Sequence, residues 1–356
     1  MTDTAGGTAG KVTIKGLAER LGMSKASVSY ALNGQPGVSD ATRARVLALA
    51  AELGWYASSS ARALSQSRSD AVGIVLARSP EEVGSESFYM NVLAGIEAVL
   101  SDHDMNLMLR MVAPGPEPRR DLGVYRRWAG ERRVDGVIVF DHTVDDPRPS
   151  MLAALGMPHV LVGAAVDAEP SAFGANTTVD QGRDAGTVME ALHRLGHRHV
   201  AYVSGPQRLT HEAARAAGVH AHAARLGMTA AVSHSNYAAD DGAKATIAVV
   251  AGVVPGSALF PTALVYGNDL MAMGGLRALK QLGLAVPGQV SVLSWDDSIL
   301  CQLGSPSVAA LARNTMDLGR RSAQLLLEAV AGHHCANAAM PAGVLQVRET
   351  LAGVLP

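Results

Sequence analysis

Only two of the 356 residues are cysteine, Cys301 and Cys335, too few for a disulfide framework and in keeping with a reducing compartment. No apolar run reaches the length of a membrane helix; the most apolar stretch, 245 to 254, is too short to span a bilayer. The first ten residues are small and polar, without the apolar core of an export signal, and read as a disordered tail. Also missing are a Gly-x-Gly-x-x-Gly loop, a Walker lysine loop, a Gly-x-Ser-x-Gly elbow and a His-Glu-x-x-His helix, so nothing assembles a catalytic centre. These absences predict a cytoplasmic protein that is not an enzyme and needs no cofactor. His193, His197 and His199 approach metal-ligand spacing, as do His333, His334 and Cys335, but the first set straddles a helix end and a strand start and the second falls in a loop. Neither is read as a metal site.

What is present begins with an uneven charge. The formal net charge is -2, yet residues 1 to 69 hold eight Lys or Arg against four acids, +4, leaving the remainder at about -6. A small basic module on an acidic body suits a nucleic-acid contact confined to one end.

Within that module, Ile14, Leu17, Ala18 and Leu21 fall at i, i+3, i+4 and i+7, one buried helical face. Gly22 breaks the helix and Ser24 caps a second one running from Lys25 to about Leu32. Val28 and Leu32 face inward, leaving Lys25, Ala26, Ser29 and Tyr30 on the other side, the layout of a helix-turn-helix. A third helix follows Ser39 and Asp40, with Val46, Leu49, Ala50 and Leu53 inward. Periodicity alone would suit any three-helix bundle.

The wording of the sequence goes further. TIKGLAERLGMSKASVSYALNG, then VSDATRARVLALAAELGW, then ARAL, resembles the amino-terminal headpiece of the lactose-repressor (LacI) family of bacterial transcription regulators. The resemblance continues through GNDLMAMGGLRALKQLGLAVPGQVSVLSWDDS and VRET near the carboxy terminus. It implies that Lys25, Ala26 and Tyr30 read bases, while Ser24, Ser27, Ser29 and Asn33 are better placed for phosphates. It also implies that the Ser- and Ala-rich segment 57 to 69 becomes a hinge helix on operator DNA, with Leu64 wedged into the minor groove.

From Asp70 onward, short strand-like runs alternate with helical ones: 71 to 77, 106 to 111, 134 to 140 and 159 to 163, then 199 to 205, 229 to 234, 262 to 267 and 290 to 295. Such alternation predicts doubly wound parallel sheets, and a length of this order predicts two subdomains with a cleft beyond the strand ends. The resemblance implies a periplasmic-binding-protein-like body. The expected division is a tail at 1–10, a helix-turn-helix domain at 11–56, a hinge at 57–69 and an effector-binding and dimerisation body at 70–356. Its first subdomain is expected over about 70–172 and 304–333, its second over about 173–303 and 334–356. Chain crossings are expected near 172–177, 297–304 and 333–340.

Polar and aromatic residues just past the predicted strands are candidates for a ligand: Phe88, Tyr89, Arg215, Tyr237, Asn268, Asp269 and Trp295, the last followed by Asp296. An Arg fork, a carboxylate and flat rings suit a sugar, whose hydroxyls need directional partners and whose C–H face can stack. The resulting expectation is a homodimeric repressor with two partners, a near-palindromic operator and a small-molecule effector. A solute-binding protein for transport would explain the body but not the basic module.

Overall fold

The computed structural model describes residues 12–55, 68–113, 115, 119–257 and 259–354. Residues 1–69 and 70–356 form separate compact units. The expected tail and most of the hinge, Leu64 included, lie outside the described residues.

The amino-terminal unit has three helices, α1 (Ile14–Leu21), α2 (Lys25–Leu32) and α3 (Asp40–Glu52). Each starts on a hydroxyl that satisfies a free backbone amide: Thr13 accepts from Gly16 at 3.2 Å, Ser24 from Ser27 at 3.0 Å and Ser39 from Thr42 at 3.2 Å. Caps of this kind contribute about 1 kcal/mol each. Gly22 ends α1 in the left-handed region, at a φ of 65°, where a side chain would be strained. Leu17, Ala18, Val28, Ala31, Val46 and Ala50 fill the core, with Ile14, Leu21, Leu32, Leu49 and Leu53 packed around them.

The body is two six-stranded sheets flanked by helices. Its strands are β1 (Ala71–Leu76), β2 (Asn106–Met111), β3 (Gly136–Val139), β4 (His159–Ala164), β5 (Asn176–Thr178), β6 (His199–Ser204), β7 (Thr229–His234), β8 (Ala263–Tyr266), β9 (Ser291–Ser294), β10 (Ala309–Ala312), β11 (Ala338–Ala339) and β12 (Val344–Gln346). The first sheet runs β11-β5-β4-β3-β1-β2 and the second β12-β10-β9-β8-β6-β7. All neighbours are parallel except β10 and β12. The central strands are buried along their whole length, as expected for sheets covered on both faces.

Helices α4 (Pro80–Ser85), α5 (Ser87–Asp102), α6 (Arg120–Gly130), α7 (Arg148–Ala154) and α13 (Thr315–Val330) serve the first sheet. Helices α8 (Gln181–Arg194), α9 (Thr210–Arg225), α10 (Ala239–Val250), α11 (Asp269–Gln281) and α12 (Ile299–Leu303) serve the second. Helices α5 and α13 pack closely. A Cβ at Gly95 would stand 2.0 Å from the Met316 carbonyl oxygen, and one at Gly319 would stand 2.1 Å from that of Val92. Only glycine allows two backbones to approach so closely. Among the described residues no helix is long and apolar enough to cross a membrane.

The chain crosses between the subdomains at 178–181, 312–315 and 339–344, later each time than expected. Pairing explains the correction. Residues 176–178 continue the first sheet beside β4, 309–312 stay with β9 in the second, and 338–339 return to β5. The place of these strands is set by partners far along the chain, so the expected subdomain limits at 172, 304 and 333 cut through single sheets.

Candidate functional site

Helix α2 presents one outward stripe. Lys25, Ala26 and Tyr30 are exposed, Ser29 and Asn33 half-buried, while Val28 and Ala31 lock the opposite face into the core. Tyr30 is 45% exposed, unusual for a ring with a core alongside to enter. Asn33 Nδ2 donates to Ser29 Oγ at 3.3 Å, and the hydroxyls of Ser24 and Ser27 bond each other at 2.9 Å at the helix start. Lys25 makes no ion pair among the described residues. The stripe thus offers an ammonium, a methyl and a phenol in sequence, a surface able to meet base edges, with hydroxyls at its margin for phosphate.

In the body, the carboxyl ends of both sheets converge on a cavity of about 70 Å³. Arg78 follows β1, Asp141 follows β3, Asn268 follows β8, Asp296 follows β9 and Arg313 follows β10, and all five line it. Phe88, Tyr89, Arg215 and Tyr237 line it as well.

Two buried polar clusters form its walls. From the first subdomain, Arg78 Nε donates to Asp141 Oδ2 at 2.9 Å and Nη1 to Glu86 Oε1 at 3.3 Å, while the Tyr89 hydroxyl donates to Asp141 Oδ2 at 2.5 Å. Burial works against the Asp141 charge, but Arg78 and the Tyr89 hydroxyl outweigh it and hold the carboxyl below its ordinary range. Glu86 goes the other way: burial, only partly offset by Arg78, pushes it up to about 8, with Asp141, Asp296 and Asp269 adding repulsion.

From the second subdomain, Glu212 is the hub. Its Oε1 accepts from Arg215 Nη1 at 2.9 Å and from the Tyr237 hydroxyl at 2.6 Å; its Oε2 accepts from the Tyr202 hydroxyl at 2.6 Å and from Gly205 N at 3.0 Å. Arg215 also donates to Gln181 Oε1 at 2.9 Å. Tyr237 has a φ of 75°, costly for a bulky residue, and Asn268 Nδ2 secures it by donating to its carbonyl at 3.0 Å. His211 bonds the Tyr237 hydroxyl at 2.8 Å, and burial together with Arg215 pulls its imidazole well below the usual range, so it is neutral.

The subdomains meet around this cavity. Ser87 Oγ donates to Asp269 Oδ2 at 3.3 Å, the Thr210 amide and hydroxyl both donate to the His142 carbonyl at 3.1 Å, and Val144 N donates to the Arg208 carbonyl at 3.2 Å. Beyond the Arg78 and Asp141 pair a second cavity opens, walled by Arg119, Arg148 and Arg208.

Two expected residues are placed otherwise. Trp295 is wholly buried and is not among the residues lining the cavity; its ring lies 5.0 Å beneath the Arg215 guanidinium and 5.6 Å from Tyr202, where it supports the arginine. Asp269 sits behind the wall, 2% exposed, with its oxygens accepting from Leu270 N and Ser87 Oγ. Burial and then Asp296 raise its carboxyl. Sequence reading missed Arg78, Glu86, Asp141, Gln181, His211, Glu212 and Arg313. For Arg78 and Asp141 the signal was there, since each comes directly after a correctly placed strand.

Residues 13–58 match the model of bacterial regulatory proteins of the lacI family, and residues 189–351 match a periplasmic binding protein-like domain. The chain is 30% identical to the HTH-type transcriptional regulator CelR of Thermobifida fusca, over 90% of this chain and 92% of that one. It is 32% identical to the regulator AglR of Rhizobium meliloti, over 80% and 78%. A solved complex of CelR with cellobiose superposes with a TM-score of 0.69 at 26% identity, covering 95% of this chain and 99% of that one.

Proposed function

The chain belongs to the lacI family of bacterial regulatory proteins, and on that premise we propose that it is a cytoplasmic repressor, a homodimer on a near-palindromic operator, whose grip on DNA is set by a small sugar in the cavity of the body. It is a DNA-binding transcriptional regulator; the single observation that carries the rest is the polar cavity closed between two subdomains of a chain that also bears the α2 stripe.

Lys25 donates to guanine, Ala26 packs on a thymine methyl and Tyr30 bonds a base edge, while Ser24, Ser27, Ser29 and Asn33 hold phosphates. Leu64 is the minor-groove wedge. The sugar's hydroxyls are met by Arg215, Tyr237, Asn268, Asp141 and Asp296, and its apolar face by Phe88 and Tyr89. CelR is held in complex with cellobiose, which supports a sugar here. A ligand bound more tightly by one arrangement of the subdomains shifts the population toward it by that difference and no more. Transport of a solute would leave the basic amino-terminal unit without a role.

Selection of genomic fragments on the purified protein tests the proposal. Enrichment of a pseudo-palindrome whose binding shifts with a sugar supports it. No enriched sequence, with or without a panel of sugars, overturns it.

A further inference from the structure

The chain enters the body at Asp70, whose amide donates to Asp135 Oδ2 at 2.9 Å, while Asp135 N donates to the Ala71 carbonyl at 2.8 Å. The turn carrying Asp135 also carries Arg132 and Arg133, and it leaves α6, whose last turn carries Arg127 with Arg126 just before it. Eight residues, 126 to 133, thus hold four arginines and one acid on a body that is otherwise acidic.

All four arginines are exposed. Glu131 is spent on Arg133, and Arg126, Arg127 and Arg132 have no carboxylate partner among the described residues. Their footing is firm: Arg133 N donates to the Trp128 carbonyl at 2.9 Å, Arg132 N to that of Ala129 at 3.2 Å, and Trp128 is sunk in the core. Two acids at this end, Asp102 and Asp104, precede β2 on the far side of β1 from the arginines, while Asp70 and Asp135 sit at the entry point itself.

A cluster of this kind fits a polyanion. Residues 57 to 69 span at most about 45 Å when fully extended, so DNA held by the amino-terminal unit is never far from Asp70. Guanidinium forks match phosphate oxygens, and such pairings carry no sequence information. We infer that Arg126, Arg127, Arg132 and Arg133 make a second, sequence-independent contact with the DNA backbone flanking the operator. The inference rests on the operator-binding reading above.

The test uses the full chain and the operator enriched from genomic fragments, once trimmed to its ends and once with about one helical turn of DNA on each side. The variant combines Arg126→Gln, Arg127→Gln and Arg132→Gln; Arg127→Glu alone is a second, less invasive change. On the flanked duplex, the slope of log affinity against log salt should fall by about 0.9 for each phosphate that is no longer neutralised. On the trimmed duplex, variant and parent should coincide. Equal slopes on the flanked duplex overturn the inference and leave the cluster to a partner other than DNA, and an equal weakening on both duplexes overturns it too. Failure of the parent to enrich any operator sinks the reading beneath it instead.

Discussion

The guanidinium of Arg78, from the first subdomain, lies 5.1 Å from the ring centroid of Tyr237, from the second, a cation–π contact made across the cavity. Both partners are anchored at their other ends, Arg78 by Asp141 and Glu86, Tyr237 by Glu212. The contact therefore joins two rigid charge clusters. Replacing Arg78→Met leaves the buried Asp141 carboxylate without its cation, and breaking a buried pair costs roughly 3–5 kcal/mol. Urea unfolding of the variant should show a destabilisation of that size; a change below about 1 kcal/mol, the range of surface pairs, would mean the cluster is solvated.

Asp296 and Trp295 are neighbours in sequence with opposite roles. Asp296 faces the cavity and accepts from Arg313 Nη2 at 2.6 Å, whereas Trp295 lies under Arg215. A hydrogen bond to a charged group contributes about 1.5–3 kcal/mol, so Asp296→Asn should weaken sugar binding about 10- to 100-fold. Titration calorimetry with cellobiose, or with whichever sugar shifts operator binding, reads this directly. Trp295→Phe should lower thermal stability and leave sugar affinity within a few-fold; the reverse pattern would put the indole in the site.

Glu86 gives the body a pH dependence of definite sign. Its carboxyl is raised to about 8 in the fold, chiefly by burial, from an ordinary value of 4.5. The folded state therefore holds a proton that the unfolded chain releases. The stabilisation is complete below about 4.5 and is lost as pH rises through 8. Melting temperatures should fall between pH 6 and pH 9 in the parent and fall less in Glu86→Gln. Parallel curves for the two proteins would show that Glu86 titrates normally.

Tyr30→Phe removes one hydroxyl from the exposed stripe of α2 and nothing from the core of the amino-terminal unit. Discrimination at a single operator position should drop by about 1–3 kcal/mol. Repeating the selection with the variant would show one relaxed position, and an unchanged preference would remove the phenol from base reading.

Gly95→Ala places a methyl where the Met316 carbonyl oxygen already stands. Helices α5 and α13 must part, at a cost of about 1–3 kcal/mol or more. An unaltered denaturation midpoint would contradict so close an approach.

Long elements were legible because their patterns repeat. Eight of the strands and the helices of the amino-terminal unit fall where alternation, caps and the i, i+3, i+4 spacing put them. The strands β5, β11 and β12 were not legible, since two or three residues cannot display a period and their place is set by partners far along the chain, and β10, AALA, has no β-branched or aromatic residue to mark it. The site followed the same division. Phe88, Tyr89, Arg215, Tyr237 and Asn268 were found from their position past a strand, and all five line the cavity. Glu212 was missed because a lone acid inside a helix normally faces water; that it gathers two tyrosines, an arginine and a backbone amide is visible only once α9 is laid against β6.

The return of the chain to both sheets after residue 312 bears on the order in which the molecule can be made. The first sheet lacks its most closely packed helix until residues 315–330 exist, and β11 comes later still. The second awaits β12 and then Thr350, whose hydroxyl donates to the Val292 carbonyl at 2.7 Å and accepts from Ala309 N at 2.9 Å. Neither subdomain is finished before the chain has been made as far as Thr350. During synthesis the nascent body carries two open sheets, each with an uncovered strand edge, and loss of residues 338–350 would leave both halves incomplete at once.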